Sequence, residues 1–317
     1  MGKLAVLKIG DGDFESGFQV TLRLGEDGFT GTEISGRLPP ALRIIRLYEA
    51  WQLQYRARSI NSYRRIEPIQ GQQTNISVKD SAAQLQYAIN EWLNSGYGQF
   101  RLIRDRLLET LSQKNDDIRF IIQADDIRLW RRPWHLWDIF ERYSNVEVAL
   151  STPEFEQVKN LPTLTPQSQV RILVILGDSR DINVQQDLNL LRQQLPDADI
   201  FAIASPQRHQ LSDELWEKDW NILFFAGHSS SESGEGRIYI NQSESIRIEE
   251  LKYALKRAIA HGLSLAIFNS CDGLGLARYL ASLQIPAIIV MRERVPDQVA
   301  QKFLEYFLAC FAIAILS

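Results

Sequence analysis

A histidine and a cysteine in the second half of the sequence each follow a short apolar run, and together they could do chemistry. His228 lies just beyond Ile222–Ala226, and Cys271 lies just beyond Leu263–Phe268. Runs of this kind, without polar alternation, are typical of strands buried on both faces of a parallel sheet. In such sheets, reactive groups collect beyond the carboxyl ends of the strands. A thiol beside an imidazole base is a nucleophile that could attack a carbonyl carbon.

The two residues could work together only if their strands are neighbours. Neighbouring strands lie about 4.8 Å apart, which would bring His228 and Cys271 within hydrogen-bond reach at one edge of the sheet. Asp272-Gly273 then leads into a helix beginning near Leu274, and the positive N-terminal end of a helix favours a thiolate. The backbone N–H groups of Ser229 and Cys271 could converge on an oxyanion. The sequence therefore predicts a Cys/His dyad with an oxyanion site.

Further charged residues lie at or near the predicted strand ends. The candidates for a substrate pocket are Asp178, Asp272, Arg292 and Glu293. Asp272 could equally serve as a helix-start residue. From the residues alone, a packing role for Cys271 also stays open, because cysteine is among the most buried residue types.

The elements that must position these residues form an α/β pattern. Five apolar runs predict strands of a doubly wound, mainly parallel sheet. They are Val170–Leu176, Ile200–Ala204, Ile222–Ala226, Leu263–Phe268 and Ala287–Met291. Helices are predicted at Asn183–Gln194, Ile248–Ala260, Leu274–Leu283 and Asp297–Phe311, and a small hairpin strand at Arg237–Asn241.

The first half of the sequence predicts a smaller α+β domain. Alternating residues indicate a hairpin at Lys3–Ile9 and Phe18–Leu24, helical spacing follows, and two short strands come last. The helical stretches are Pro39–Ser59 and Ser81–Leu111, and the strands are Ile118–Gln123 and Val146–Leu150. We therefore expect an N-terminal domain of unknown role at 1–150, a Pro-rich linker at 151–169 and the sheet domain at 170–317.

Composition excludes several classes of function. The chain has 317 residues, 45% of them apolar and 23% charged, as expected of a globular protein with two domains. Lys and Arg number 35 against 39 Asp and Glu, so the net charge of -4 gives no basic field for nucleic acid.

Two cysteines make no disulfide framework and no signal peptide is evident, which predicts a cytoplasmic protein. The apolar segment Phe303–Ser317, interrupted by Glu305, is too short to span a membrane.

No cofactor is predicted. The acidic stretch Gly10–Glu15 lacks most of a calcium-loop pattern, so a turn is expected there instead of a metal site. Leu176–Arg180 lacks the glycine pattern of a dinucleotide-binding turn.

Several motifs occur in an order that resembles a CHAT domain, a caspase-like peptidase group related to separases and caspases. They are Phe224–His228, Ala266–Cys271, Gly275–Arg278, Pro286-Ala287 and Val295–Asp297. The resemblance covers roughly Val170 to Phe311. It implies a caspase–haemoglobinase fold and a Cys/His dyad that cleaves peptide bonds in proteins or peptides, with His228 and Cys271 at the matching positions.

The segment Lys3–Ser151 resembles the N-terminal region of bacterial CHAT proteins, which often continue into a membrane-bound sensor domain. Two departures stand out. Ser229 follows the histidine where many relatives have glycine, and the chain ends at Ser317 where similar proteins continue with a helix and a final strand. The resemblance thus predicts a C-terminally truncated member with an exposed sheet edge along Ala287–Met291, open to self-association.

Two functions follow from the sequence. The first is a cysteine endopeptidase that acts in signalling or regulated proteolysis. The alternative is a catalytically weak or inactive caspase-like module for protein interaction or signalling, which the missing final strand favours.

Overall fold

The structure is a computed structural model that describes residues 3–26, 29–59, 77–112, 117–153, 169–180, 182–232, 235–270 and 273–316. Contacts divide the chain into two units, Met1–Pro153 and Glu154–Ser317. Most of the predicted linker at 151–169 lies outside the described residues, so the linker stays a prediction.

The first unit contains a five-stranded sheet of order β3-β2-β1-β4-β5. Its strands are β1 (Lys3–Asp13), β2 (Gly17–Glu26), β3 (Phe29–Leu38), β4 (Ile118–Ala124) and β5 (Val146–Ser151). The strands β1, β2 and β3 pair antiparallel, whereas β4 runs parallel to both β1 and β5. The sequence analysis did not predict β3, because its threonines, serine and glycines weaken the apolar alternation of a strand.

The helices of this unit are α1 (Leu42–Ser59), α2 (Val78–Leu93), α3 (Gly98–Leu111), α4 (Ile127–Trp130) and α5 (Asp138–Arg142). The prediction of one helical stretch over Ser81–Leu111 was wrong, since the chain breaks between α2 and α3. Asn94 ends α2, and its side-chain Oδ1 accepts a hydrogen bond from Nε1 of Trp137 at 3.0 Å. This side-chain contact is tertiary, so helical periodicity alone could not reveal the break.

The second unit contains two sheets. In chain order its strands are β6 (Arg171–Leu176), β7 (Asp199–Ala204), β8 (Ile222–Ala226), β9 (Ser229–Glu232), β10 (Glu235–Tyr239), β11 (Ser245–Arg247), β12 (Leu265–Asn269) and β13 (Ala287–Val290). The five predicted apolar strands form one parallel sheet of order β13-β12-β8-β6-β7. The other three form a small antiparallel sheet of order β11-β10-β9, which includes the predicted hairpin strand.

Helices cover both faces of the parallel sheet. They are α6 (Val184–Gln194), α7 (Arg208–Glu217), α8 (Lys252–Ala260), α9 (Leu274–Ser282) and α10 (Asp297–Leu316). One apolar cluster joins the sheet to α7, α8 and α9, and a second joins it to α6 and α10. The doubly wound α/β architecture is therefore confirmed. The sequence analysis missed α7, because only Leu211 and Leu215 of its residues are buried.

The strand β13 forms one edge of the parallel sheet. Ala287 is exposed, and Ile288, Ile289 and Val290 are partly exposed. Self-association through this edge stays a prediction. Within the described ranges, no helix combines the length and the apolar character needed to cross a bilayer.

Candidate active site

The exits of β8 and β12 lie side by side at the carboxyl edge of the parallel sheet. The two strands are adjacent, and Ala226, the last residue of β8, pairs with Asn269, the last residue of β12. Along the chain, His228 comes two residues after Ala226, and Cys271 comes two residues after Asn269. Cys271 and Asp272 lie outside the described residues. The structure therefore places the strand that leads to Cys271, and the position of its thiol stays a prediction.

His228 is held by the loop that follows β6. Its ring nitrogen Nε2 lies 2.7 Å from the carbonyl oxygen of Arg180. A carbonyl oxygen can only accept a hydrogen bond, so Nε2 carries the hydrogen and Nδ1 is the acceptor in the neutral ring. The sequence analysis did not identify Arg180 as a partner of the histidine. The contact is made by its backbone, which leaves no signal in the residue type.

Asp178 lies in the same loop and is almost completely buried, with 1% exposure. Nε and Nη2 of Arg180 donate hydrogen bonds to its Oδ2 at 2.9 and 2.5 Å. Burial raises the pKa of the Asp178 carboxyl, but the hydrogen bonds from Arg180 and the charges of Arg180 and His228 outweigh burial and lower it overall. Asp178 is consequently ionised at neutral pH, close to His228.

A hydrogen bond from Ser229 joins the exit of β8 to the exit of β12. Ser229 is buried, and its hydroxyl donates a hydrogen bond to the Ser270 hydroxyl at 2.8 Å. In the small sheet, the Tyr239 N–H donates to the His228 carbonyl oxygen at 3.0 Å. Hydrogen-bonded and non-bonded pairs alternate along an antiparallel ladder, so the N–H of Ser229, opposite Ile238, points away from β10. This direction is compatible with the predicted oxyanion role of Ser229.

Two glycines allow the small sheet to pack closely against the loop that follows β6 and the start of α9. A Cβ atom added at Gly177 would lie 2.3 Å from the Tyr239 carbonyl oxygen, and one at Gly236 would lie 2.5 Å from the Leu276 nitrogen. The Ser231 hydroxyl also accepts a hydrogen bond from the Gly275 N–H at 3.0 Å. The hairpin of β9 and β10 is thus fixed to the loop of Asp178 and to the first turn of α9.

Arg292 and Glu293 lie beyond the next strand exit. They follow β13, which pairs with β12 on the side away from β8, and both are partly buried. Two strand spacings, about 10 Å, separate this exit from that of β8. The Met291 carbonyl oxygen accepts a hydrogen bond from the Gly273 N–H at 3.0 Å, which links the exit to the start of α9. Among the three pocket candidates that the structure describes, Asp178, Arg292 and Glu293, Asp178 is the one in the loop that holds His228, and the place of Asp272 in the pocket stays a prediction.

The described ranges contain no group of three or more His, Cys, Asp or Glu side chains that could hold a metal ion.

Comparison with known proteins identifies the family. The sequence matches the CHAT domain over residues 99–312, and the chain belongs to the CHAT domain family, a caspase-like family related to peptidases. The match begins in α3 of the first unit, well before Val170, where the resemblance read from the motifs begins. A search of curated proteins found no match.

Proposed function

We propose that this protein is a cysteine endopeptidase that uses His228 and Cys271 as its catalytic pair. The observation that carries the proposal is the in-register pairing of β8 and β12, which end together at Ala226 and Asn269. Each proposed catalytic residue follows its strand by the same number of residues. Membership of a caspase-like family supports the same assignment.

The proposed reaction begins with a proton transfer. Nδ1 of His228 accepts the proton of the Cys271 thiol, and the thiolate attacks the carbonyl carbon of a peptide bond. The N–H groups of Ser229 and Cys271 stabilise the oxyanion of the tetrahedral intermediate. The imidazolium then protonates the leaving amine, and water hydrolyses the acyl-enzyme with His228 as the base. The Arg180 carbonyl keeps Nε2 protonated, so it maintains Nδ1 as the acceptor.

The proposed substrate pocket involves Asp178, Asp272, Arg292 and Glu293. The buried, ionised carboxylate of Asp178 already holds one guanidinium, that of Arg180. This supports a preference for a basic substrate side chain, which would displace Arg180 from Asp178. A thiolate nucleophile must remain reduced, and we therefore propose that the enzyme works in the cytoplasm.

The alternative proposal is a caspase-like interaction or signalling module with weak or no catalysis. The exposed outer edge of β13 favours it, because an aliphatic edge strand can pair with a strand of another protein. In that case the exits of β8 and β12 would be retained for structure alone.

Digestion of a peptide library separates the two proposals. We expect the wild-type chain to cleave a subset of peptides, and we expect Cys271→Ala and His228→Ala to abolish cleavage. Cys310→Ser and His209→Ala are matched controls, because both residues are exposed on helices of the same unit. Cleavage by Cys271→Ala at the wild-type rate would refute the dyad. Absence of cleavage by the wild-type chain would favour the interaction module.

A further inference from the structure

The carboxylate of Asp178 is covered by one surface side chain, that of Arg180. The Asp178 side chain is 1% exposed, whereas the Arg180 side chain is 60% exposed. Nε of Arg180 donates hydrogen bonds to Oδ1 and Oδ2 of Asp178 at 3.0 and 2.9 Å, and Nη2 donates to Oδ2 at 2.5 Å. A side chain that is so exposed can turn into solvent without disturbing the apolar core. Arg180 is thus a removable cover on a buried charge.

The backbone beneath Asp178 is held without help from the Arg180 side chain. The Asp178 N–H donates a hydrogen bond to the Tyr239 carbonyl oxygen at 2.8 Å, and the Gly177 N–H donates one to the Ala226 carbonyl oxygen at 2.8 Å. These bonds tie the loop to the ends of β10 and β8. We therefore expect the Asp178 carboxylate to stay in place when the Arg180 side chain turns away.

A buried carboxylate that loses its cation needs another one. An unpaired charge in a buried position is strongly disfavoured, so an uncovered Asp178 is a site for a cationic ligand. A guanidinium can repeat the contact that Arg180 makes with two nitrogens, whereas an ammonium offers a single nitrogen. The Arg180 carbonyl oxygen lies 2.7 Å from Nε2 of His228, so this ligand would lie near the proposed base. The chemistry that fits is an arginine side chain of a peptide.

A pair in the first unit separates the effect of burial from that of local geometry. Nε and Nη2 of Arg128 donate hydrogen bonds to Oδ2 of Asp126, two residues earlier, at 2.9 and 2.7 Å. The Asp126 side chain is 24% exposed, so water could hydrate it if Arg128 moved away. The pairing of an aspartate with the arginine two residues later is therefore a local turn contact. Burial next to His228 is what distinguishes Asp178.

We propose that Arg180 is an internal ligand, which occupies the Asp178 site and must be displaced before an arginine side chain of a substrate can bind there. The inference rests on the proposed peptidase function and adds a regulation of its pocket, in which the protein competes with its own substrate. The internal ligand lowers the apparent affinity by the fraction of molecules in which Asp178 is uncovered. Charge-assisted hydrogen bonds of this kind favour the covered state by about 10-fold to 100-fold.

Binding of N-acetyl-arginine amide, measured by isothermal titration calorimetry, tests the proposal. The parent is the full chain carrying Cys271→Ala, so that no turnover disturbs the measurement. We expect Arg180→Ala in this parent to bind the probe about 10-fold to 100-fold more tightly. Arg180→Lys should fall between the two, since an ammonium is the weaker competitor. N-acetyl-citrulline amide has nearly the same shape without the charge and should not bind.

Two further variants serve as controls. Arg128→Ala removes the same kind of contact from Asp126 and should leave the affinity for the probe unchanged. Asp178→Asn is a neutral substitution of the same shape and should abolish binding in both the parent and the Arg180→Ala background. If Arg180→Ala does not fold, Arg180→Lys decides the question, because it keeps a cation beside the buried carboxylate.

A purely structural role for Arg180 predicts the opposite result, because a loosened loop would bind the probe less tightly. Equal or weaker binding by the Arg180 variants overturns the proposal, and so does tighter binding that survives Asp178→Asn. A chain that cleaves peptides through His228 and Cys271 but binds the probe in none of these variants overturns the internal ligand alone. Tighter binding by Arg180→Ala in a protein whose wild type cleaves no peptide overturns the peptidase and supports the internal ligand.

Discussion

Replacing Asp187 by asparagine should stabilise the second unit at alkaline pH. The substitution keeps the shape of the side chain and removes its charge. In the folded protein the pKa of Asp187 is raised to about 7 from its ordinary value of 3.8, chiefly by burial. The folded state therefore holds the proton more tightly than the unfolded state between these two pH values. The contribution of Asp187 to stability is complete below about pH 4 and is lost as the pH rises to about 7.

The size of this effect follows from the same two values. Each pH unit between them corresponds to about 1.4 kcal/mol, so the whole interval corresponds to about 4 kcal/mol. At pH 8 the buried Asp187 carboxylate lowers the free energy of unfolding of the wild type by this full amount, and Asp187→Asn has no charge at this position. We therefore expect the free energy of unfolding of the variant's second unit to be higher than that of the wild type by up to about 4 kcal/mol at pH 8. At pH 4 the two values should differ little.

Hydrogen exchange of the amides of β8 and β12 measures this stability directly, because core amides of the second unit exchange only when that unit unfolds. The chain has two units, so a single global unfolding transition would not isolate the second. Asp213→Asn serves as the control and should have no effect at either pH. Equal stability of Asp187→Asn and the wild type at pH 8 would refute the reasoning.

Three other substitutions test separate features of the structure. Gly177→Ala should lower peptide cleavage at least tenfold with the far-UV circular dichroism unchanged, because its Cβ would lie 2.3 Å from the Tyr239 carbonyl oxygen and displace the loop that holds His228. Ile267→Asp, a buried position in β12, should unfold the second unit by burying an unpaired charge, and protection of its core amides would contradict this. Ile289→Lys on the edge strand β13 should reduce any dimer seen by light scattering, whereas an unchanged dimer would place the interface elsewhere.

The parallel sheet could be predicted from the sequence because its strands are buried on both faces. Such strands appear as continuous apolar runs, and all five predicted runs are strands of that sheet. The elements that were missed are more polar. In α7 only two residues are buried, and β3 contains threonine, serine and glycine in place of a regular apolar alternation. Periodicity detects a buried face, so it fails where little of the element is buried.

The candidate site was predictable only to the level of strand exits. Residue types and positions pointed to His228 and Cys271, and the ordered motifs identified the CHAT family that the comparison confirmed. The Arg180 carbonyl could not be predicted, because backbone contacts leave no trace in residue type. In the sequence alone, Asp187 is indistinguishable from a solvated residue on the polar face of a helix. Its burial depends on the packing of α6 against β6 and α10, which is a property of the folded unit alone.

The rate at which Cys271 is alkylated, followed against pH, tests the central claim most directly. The chain has two cysteines, so Cys310→Ser leaves Cys271 as the only thiol, and iodoacetamide labelling then reports its reactivity without a known substrate. We predict labelling well below the ordinary thiol range of about pH 8.5, and we predict that His228→Ala removes this reactivity while His209→Ala does not. An unchanged labelling profile in His228→Ala would contradict the pairing of the imidazole with the thiol.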